Sequence, residues 1–496
     1  MVSLASNPKA DTASSSEKPV SGNDEIVMPP VEAEVKPAQA GALSQSAMWV
    51  VIARGWNVAA SAALSFLLPR WFGANVGACG EVLLVLSLVG IAAMIGSFGL
   101  PETMIRHVAA NLAQGNHSAI RLLVRRCGLL LLMTSMTTAA LTAAYFWLDG
   151  FERFHLPGSI LLAVVVGSAI VALAWQMVGA AVLRGMHEVK WANLLSGGQS
   201  GGPIAVSLFL AVLATMFLLS LGVTSTRAAQ VLSAAITFTA VITLWQMSRA
   251  LPATGSSALD GQVPSVSELA FDALPIALSQ IAAFCTLSAD LWLVSRFFGT
   301  DDVAFYGSAK RLVLLLGIPE QLAMLTIIAV IPSLYARGQI AELQRVIRQA
   351  TSLAALPAII AAVALIVLPQ QVLGLAFGPQ YKAAAGVLVI LTLGQLTANC
   401  LGPCGYVLLM TGRRWTVLCI TLVCGVSAIV VGAIGAHFGG LMGLAIAAAI
   451  CTATQITLEW LAARYFVGVW CHASPLLIQA AVTRARTTPP PKESPL

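Results

Sequence analysis

Charge is scarce in this sequence. Of 496 residues only 10% are Asp, Glu, Lys or Arg, while 58% are hydrophobic. A soluble globular chain carries roughly 25% charged residues. That leaves too little charge to wet a surface of this size, so lipid must cover most of it; the mean hydropathy of +0.86 agrees. Catalytic patterns are missing as well. The six histidines are scattered, with no HExxH pair, Ser/His/Asp set or paired carboxylates beside them. No GxxxxGK[ST] loop is present, so nucleotide bound by this chain does not drive it, and no cofactor is implied. The nine cysteines fall mostly inside apolar runs, and none has CxxC spacing. Cys400 and Cys404 share a helix face without His or carboxylate company, which reads as small apolar filler rather than a metal site. No apolar run precedes Met48; residues 1–45, rich in Ser, Ala, Pro, Lys and Glu, read as a disordered cytoplasmic tail rather than a signal peptide.

What is present is a succession of apolar runs, each long enough at roughly 18 residues or more to cross a ~30 Å hydrocarbon layer. Backbone amides in lipid must be satisfied within the segment, so each run reads as a helix. The alternation of a membrane barrel is absent. The expected fold is an all-α polytopic membrane protein with about twelve spans, at 47–68, 82–98, 127–148, 157–181, 192–219, 228–247, 272–298, 303–333, 350–372, 383–411, 415–436 and 441–465. They divide into a six-helix bundle over 46–250, a cytoplasmic linker over 251–270, a second bundle over 271–466 and a tail over 467–496, where 467–482 reads as a short interfacial segment.

Basic residues set the expected orientation. Connections after even-numbered spans carry twelve Lys or Arg, among them Arg106, Arg126, Lys190, Arg348 and Arg414; those after odd-numbered spans carry five. The positive-inside rule then places both termini in the cytoplasm of a cell (inner) membrane protein.

The two halves also echo each other. Pro69-Arg70-Trp71-Phe72-Gly73 ends the first span and Ser295-Arg296-Phe297-Phe298-Gly299 ends the seventh. Gly115 before one basic helix matches Gly338 before another, and Arg184-Gly185 is echoed by Thr411-Gly412-Arg413. The offsets are 226, 223 and 227 residues. Repeats of six spans keep the same orientation, so the halves relate by an axis along the membrane normal, an arrangement suited to a central cavity and rocking transport.

An ionisable side chain at mid-bilayer costs roughly 2.5–3.5 kcal/mol on insertion scales, so each needs a reason. On the first span Arg54, Asn57, Ser61 and Ser65 form one stripe at helical spacing. The seventh aligns Asp290 with Thr286, Ala283 and Ser279; the eighth carries Lys310, Arg311, Gly317, Glu320 and Gln321; the tenth aligns Thr392, Gln395 and Asn399. Such residues either wall a wet cavity or hold helices together by hydrogen bonds. The candidate cavity residues are Arg54, Asn57, Asp290, Lys310, Arg311, Gln395 and Asn399, a set that leans cationic and suits an anionic cargo. The glycine-rich run from Gly197 to Pro203 lies in an apolar helix and reads as a kink or a close-packing site.

Several segments resemble one family. Gly96-Ser97-Phe98-Gly99-Leu100 with Arg106 is similar to the loop after the second helix of Wzx-type polysaccharide flippases, of the multidrug/oligosaccharidyl-lipid/polysaccharide exporter superfamily. Tyr306-Gly307-Ser308-Ala309-Lys310-Arg311 resembles their eighth-helix start, and Pro332, Phe377-Gly378-Pro379-Gln380-Tyr381 and Leu409-Met410-Thr411-Gly412 are similar too. The resemblance runs from about Trp49 to Arg464. It implies two six-helix bundles in a V, no enzymatic activity, and translocation of an undecaprenyl-pyrophosphate-linked oligosaccharide across the cytoplasmic membrane for cell-surface polysaccharide. It implies as partners the lipid-linked glycan, the bilayer, and the polymerase and glycosyltransferases of such a pathway, with no nucleic acid. Arg54, Lys310 and Arg311 occupy the helices whose basic residues meet pyrophosphate in relatives. The alternative is a cation-coupled multidrug or metabolite antiporter of the same superfamily, which calls for an acidic cavity.

Overall fold

The structure is a computed structural model that describes residues 37–73, 75–145, 160–196, 201–219, 222, 224–251, 263–327 and 330–474. Each expected span falls on a helix, or on short helices in succession, among these residues. The first half comprises α1 (Pro37–Phe72), α2 (Val76–Ser97), α3 (Leu100–Ala113), α4 (His117–Tyr145), α5 (Ile160–Gly185), α6 (Val189–Leu195), α7 (Gly202–Leu218) and α8 (Ser225–Ala250). The second comprises α9 (Val266–Phe297), α10 (Thr300–Leu315), α11 (Ile318–Ile327), α12 (Val330–Ala336), α13 (Ile340–Val367), α14 (Pro369–Phe377), a 3-10 turn (Pro379–Ala384), α15 (Ala385–Leu401), α16 (Cys404–Met410) and α17 (Arg414–Phe466). Eight of the described helices are individually long and apolar enough to cross a membrane. The remaining spans are α1 and those broken into shorter pieces. Met133, Val164, Phe238, Ile360 and Val430 stand exposed on separate spans, as lipid solvent allows.

α17 accounts for two expected spans. Gly440, at φ 60° and ψ −152°, reverses the chain inside it. Gly435 and Gly443 then face each other so closely that a Cβ on either would meet the other's backbone, at 2.5 and 2.2 Å. Apolar side chains gain little by leaving lipid for a helix contact, so close approach of this kind is what binds helices in a bilayer.

The spans expected at 192–219, 303–333, 350–372 and 383–411 each contain a helix break, and polar side chains serve two of the breaks. Gln176 on α5, only 2% exposed, donates to the carbonyls of Leu195 (2.7 Å) and Gly201 (2.6 Å) on either side of the α6–α7 break and accepts from Thr239. Of the run Gly197 to Pro203, expected to kink an apolar helix or let it pack closely, Gly201 (φ 83°), Gly202 and Pro203 instead start α7, while 197–200 lie outside the described residues. Asn399 on α15 donates to the carbonyl of Leu316, where α10 gives way to α11 (3.1 Å).

The internal repeat is visible in the turns. Gly115 and Gly338 adopt φ 72° and 70°. Their hydrogen bonds correspond one for one: Gly115 to Leu112, Asn116 to Asn111 and His117 to Gly115 match Gly338 to Tyr335, Gln339 to Leu334 and Ile340 to Gly338. The third match shifts register. His187, with φ 62°, occupies the place of Gly412, with φ 84°, so the structural offset is 225 rather than the 227 taken from Gly185.

The linker and tail boundaries also shift. α9 starts at Val266, four residues before the expected linker ends, while 252–262 lies outside the described residues. The segment 467–474, expected to begin a tail, is packed into the second half. Val469 and Cys471 are wholly buried, Trp470 N donates to Gln344, Ala473 N to the Cys400 carbonyl and Ser474 N to Ser352. Residues 475–496 lie outside the described set, as does most of the expected N-terminal tail, but α1 begins at Pro37.

The halves meet where α2 lies along α10, while α9 touches α2, α3 and α4. Gly77, Gly80 and Gly307 make this crossing tight. A Cβ on Gly80 would sit 2.0 Å from the Thr300 carbonyl, and one on Gly307 2.8 Å from the Leu83 side chain. The Phe98-Gly99 step uses two left-handed residues to turn α2 into α3, and a Cβ on Gly99 would strike the Ala273 carbonyl at 2.5 Å. The glycine of that sequence segment is thereby explained by packing against α9.

Candidate functional site

A cavity of about 400 Å³ lies between the halves, walled by α1, α2, α9, α10 and α11. Asn57, Ser61 and Ser65 line it from successive turns of α1, Ser87 from α2, Ser288 from α9, Lys310 and Arg311 from α10, and Gln321 from α11. Lys310 is ten positions past Thr300, the first residue of α10. At about 1.5 Å per residue this is roughly 15 Å in, near the middle of a ~30 Å core.

The two neighbouring cations differ in company. Lys310 Nζ bonds both carboxylate oxygens of Asp290, and the Tyr306 hydroxyl donates to the same carboxylate at 2.8 Å. The pair is largely sequestered, with side-chain exposures of 19% for Lys310 and 11% for Asp290. Its charges cancel. Arg311, partly buried beside Cys79, lines the cavity, and no described residue forms an ion pair or hydrogen bond with its guanidinium. The net charge of the cavity wall is therefore positive, and it resides on Arg311.

The other expected site residues divide. Asn57 is in the wall. Arg54, one turn earlier, is exposed and lies near Arg184 rather than on the cavity. Gln395 donates to Asn399 at 3.3 Å, and Asn399 to Leu316, so this pair holds the break between α10 and α11. Glu320 lies near Glu459, deeper in the second half. Ser87, Ser288 and Gln176 are not among the expected site residues; the first two carry no pattern that marks them, while Gln176 is an amide alone within an apolar run.

The cavity has unlike ends. On the α14 side Phe66 stacks on Phe377 (5.9 Å), Tyr381 meets Phe305 and Phe377 (both 5.6 Å), and Gln380 donates to the Gly73 carbonyl at 2.7 Å. Arg70 also bonds the Leu375 carbonyl. This aromatic layer joins the halves and seals that end. Toward the basic connections Arg54, Gly55, Trp56 and Gln321 are exposed. There α11, α12 and α16 pack on α13, α17 and one another. The cavity opens toward the basic face.

A larger recess of about 1080 Å³ lies between α4, α5 and α8, floored by Gly167, Val171 and Trp175. Its lining is apolar and its rim residues Val164 and Val241 are exposed, as for a face turned to lipid. Among the described residues no three His, Cys, Asp or Glu side chains stand together as a metal set.

The family model described as MatE matches residues 275–434, less than half of the chain. No curated protein matches the sequence. The chain shares its fold with a lipid II flippase, MurJ, in an inward closed conformation, at 13% identity and a TM-score of 0.62, covering 84% of this chain and 87% of that one. It likewise matches a multidrug resistance MATE family transporter of the MOP superfamily, inward-facing, at 19% identity and a TM-score of 0.58, covering 83% and 94%. A third match is a MOP superfamily transporter from Pyrococcus furiosus, described by the reversed polarity of its binding pocket, at 17% identity and a TM-score of 0.56, covering 86% and 94%. At these identities the likeness is one of fold: two six-helix halves about a central cavity.

Proposed function

We propose that this chain is a secondary transporter that moves an anionic or amphiphilic solute across a cell membrane by alternating access. The observation that carries the reading is Arg311, a mid-membrane guanidinium on the cavity wall without a counter-charge among the described residues. Leaving such a cation unpaired is costly, and planar paired N–H donors suit phosphate or carboxylate. The MatE match and the drug-transporter neighbours favour an antiporter of that type over a dedicated flippase. The cavity charge favours anions over the cationic drugs for which an acidic wall would be suited. In this scheme the basic face is cytoplasmic, the cargo enters there, and opening of the aromatic layer at α14 releases it on the other side. An inside-negative potential assists outward movement of a net anion by roughly 2.3 kcal/mol per charge per 100 mV.

A second reading, translocation of a polyprenyl-pyrophosphate-linked oligosaccharide, draws on the same arginine and on the flippase neighbour. Proteoliposomes separate the two. Flux of a fluorescent anionic amphiphile should fall at least tenfold in Arg311→Gln and recover in part in Arg311→Lys. Flux of a cationic dye that matches or exceeds the anion's, and is indifferent to Arg311, would overturn the anionic assignment. Complementation of a flippase-null strain tests the second reading directly.

A further inference from the structure

The seam where α2 crosses α10 is tight and largely apolar, and two hydroxyls interrupt it. Ser308 on α10 and Tyr381 in the 3-10 turn are wholly buried, and neither hydroxyl has a hydrogen-bond partner among the described residues. For Ser308 this is unusual. Hydroxyls elsewhere in the spans return to the carbonyl one turn earlier, as Ser65 does to Ser61, Thr392 to Leu388 and Thr411 to Val407. Ser308 makes no such bond. Its hydroxyl lies beside that of Tyr381, which also faces the Cys79 thiol of α2. None of these approaches completes a hydrogen bond to either hydroxyl.

The two hydroxyls stand between the cavity and its sealed end. Arg311, on the cavity wall, comes three residues after Ser308 and so shares its face of α10. Arg311 also neighbours Cys79. Tyr381 belongs to the aromatic layer, 5.6 Å from both Phe305 and Phe377. Neither Ser308 nor Tyr381 borders the cavity itself. A short polar track thus leads from the cavity's cation past Cys79 into the seal.

Burying a hydroxyl without a partner is unfavourable, and Phe and Ala would fill the same space without that penalty. A partner reaches these hydroxyls when the halves part at the α14 end, the step that alternating access requires. Beside a guanidinium that can only donate, two further hydroxyl donors suit an oxyanion. Being neutral, they hold it less strongly than Arg311 does, which favours onward release over trapping. We propose that Tyr381 and Ser308 form a second anion station, which takes the phosphate or carboxylate of the cargo from Arg311 as the aromatic layer opens. The station rests on the anionic reading above and supplies its exit path.

The test uses the full chain and the fluorescent anionic amphiphile, in proteoliposomes for flux and in detergent for equilibrium binding. Tyr381→Phe keeps the ring and loses only the hydroxyl; Ser308→Ala removes the other donor. Each should lower maximal flux about tenfold, as for one lost bond to an anion, with affinity at the cavity unchanged. The melting temperature of Tyr381→Phe should not fall, since the closed seal loses no bond; if that variant folds poorly, Ser308→Ala decides. Hydrogen exchange of the turn Pro379–Ala384 separates a station from a mere bias on the seal. A ligand shifts an equilibrium only by its differential affinity for the two states. The amphiphile should therefore speed exchange of this turn in the wild type and fail to do so in the variants. Equal acceleration in wild type and variants would show that the hydroxyls affect only the seal, and would overturn the proposal. Wild-type flux in both variants would overturn it too, with the Arg311 reading left standing. Flux indifferent to Arg311→Gln would overturn both.

Discussion

Lys310 on α10 grips both carboxylate oxygens of Asp290 on α9, and its neighbour Arg311 is left on the cavity wall with no counter-charge among the described residues. Breaking such a sequestered pair from one side leaves a lone charge and costs about 3–5 kcal/mol, whereas replacing both partners costs far less. Lys310→Met or Asp290→Asn alone should therefore lower the stability of the detergent-solubilised protein by an amount of that order. The double variant should recover most of the loss. Equal and additive losses across the cycle would mean that the pair is not coupled.

The α2–α10 crossing gives a sharper structural prediction. A methyl group at residue 80 would overlap the Thr300 carbonyl, a backbone atom that cannot rotate away. Gly80→Ala must push the helices apart, at a cost of roughly 1–3 kcal/mol for overpacking. The expected outcome is a leaky α14 end, with Ser65→Cys in the cavity becoming reactive to an impermeant thiol reagent from that side. Gly55→Ala supplies the control, because nothing lies within 4 Å of its Cβ position. Equal labelling of the two variants would show that the crossing tolerates the methyl group.

The repeat makes its own claim. Gln176 and Asn399 lie 223 residues apart, the offset of Gly115 and Gly338, and each holds a carbonyl at a helix break. Gln176 serves two carbonyls and a hydroxyl, Asn399 only one carbonyl and Gln395. Removing Gln176 with Leu should cost about 1–3 kcal/mol for groups left unsatisfied in a bilayer, where water cannot substitute. Asn399→Leu should cost less. The reverse order in thermal unfolding would show that the carbonyls at the α6–α7 break do not depend on Gln176.

How much of this could be read beforehand follows from what each signal depends on. The spans were legible because hydropathy is local: a run of apolar residues reports its solvent without reference to its neighbours. The Gly115 and Gly338 turns were legible for the same reason, since a left-handed residue between helices needs glycine. Partnership was not. Asp290 and Lys310 are 20 residues apart on different spans, and nothing in either run names the other. Arg54 sits on the helical stripe of Asn57, yet one turn toward the basic face carries it out of the cavity and beside Arg184. Gln395 and Asn399 had the spacing of a cavity face, but a helix break has the same appetite for amides. The strap 467–474 was hidden because its anchors are backbone amides, which every residue has.

The same strap supplies a pH prediction. Burial, followed by the nearby Arg348 charge, holds the His472 pKa below its ordinary value. The folded state thus binds the proton less readily than the unfolded chain does. Its contribution to stability is complete above the usual histidine range and is lost as pH falls through that range toward the depressed folded value. Protonation would place a second cation against Arg348, so the strap is the part that should yield first. Amides of Trp470, Ala473 and Ser474, each hydrogen-bonded to the second half, should lose hydrogen-exchange protection between about pH 7 and pH 5, after correction for intrinsic rates. His472→Asn, which cannot take up the charge, should flatten that dependence while leaving Gln176 and its neighbours unaffected. If the slope persists in His472→Asn, another group titrates the strap and the assignment to His472 fails.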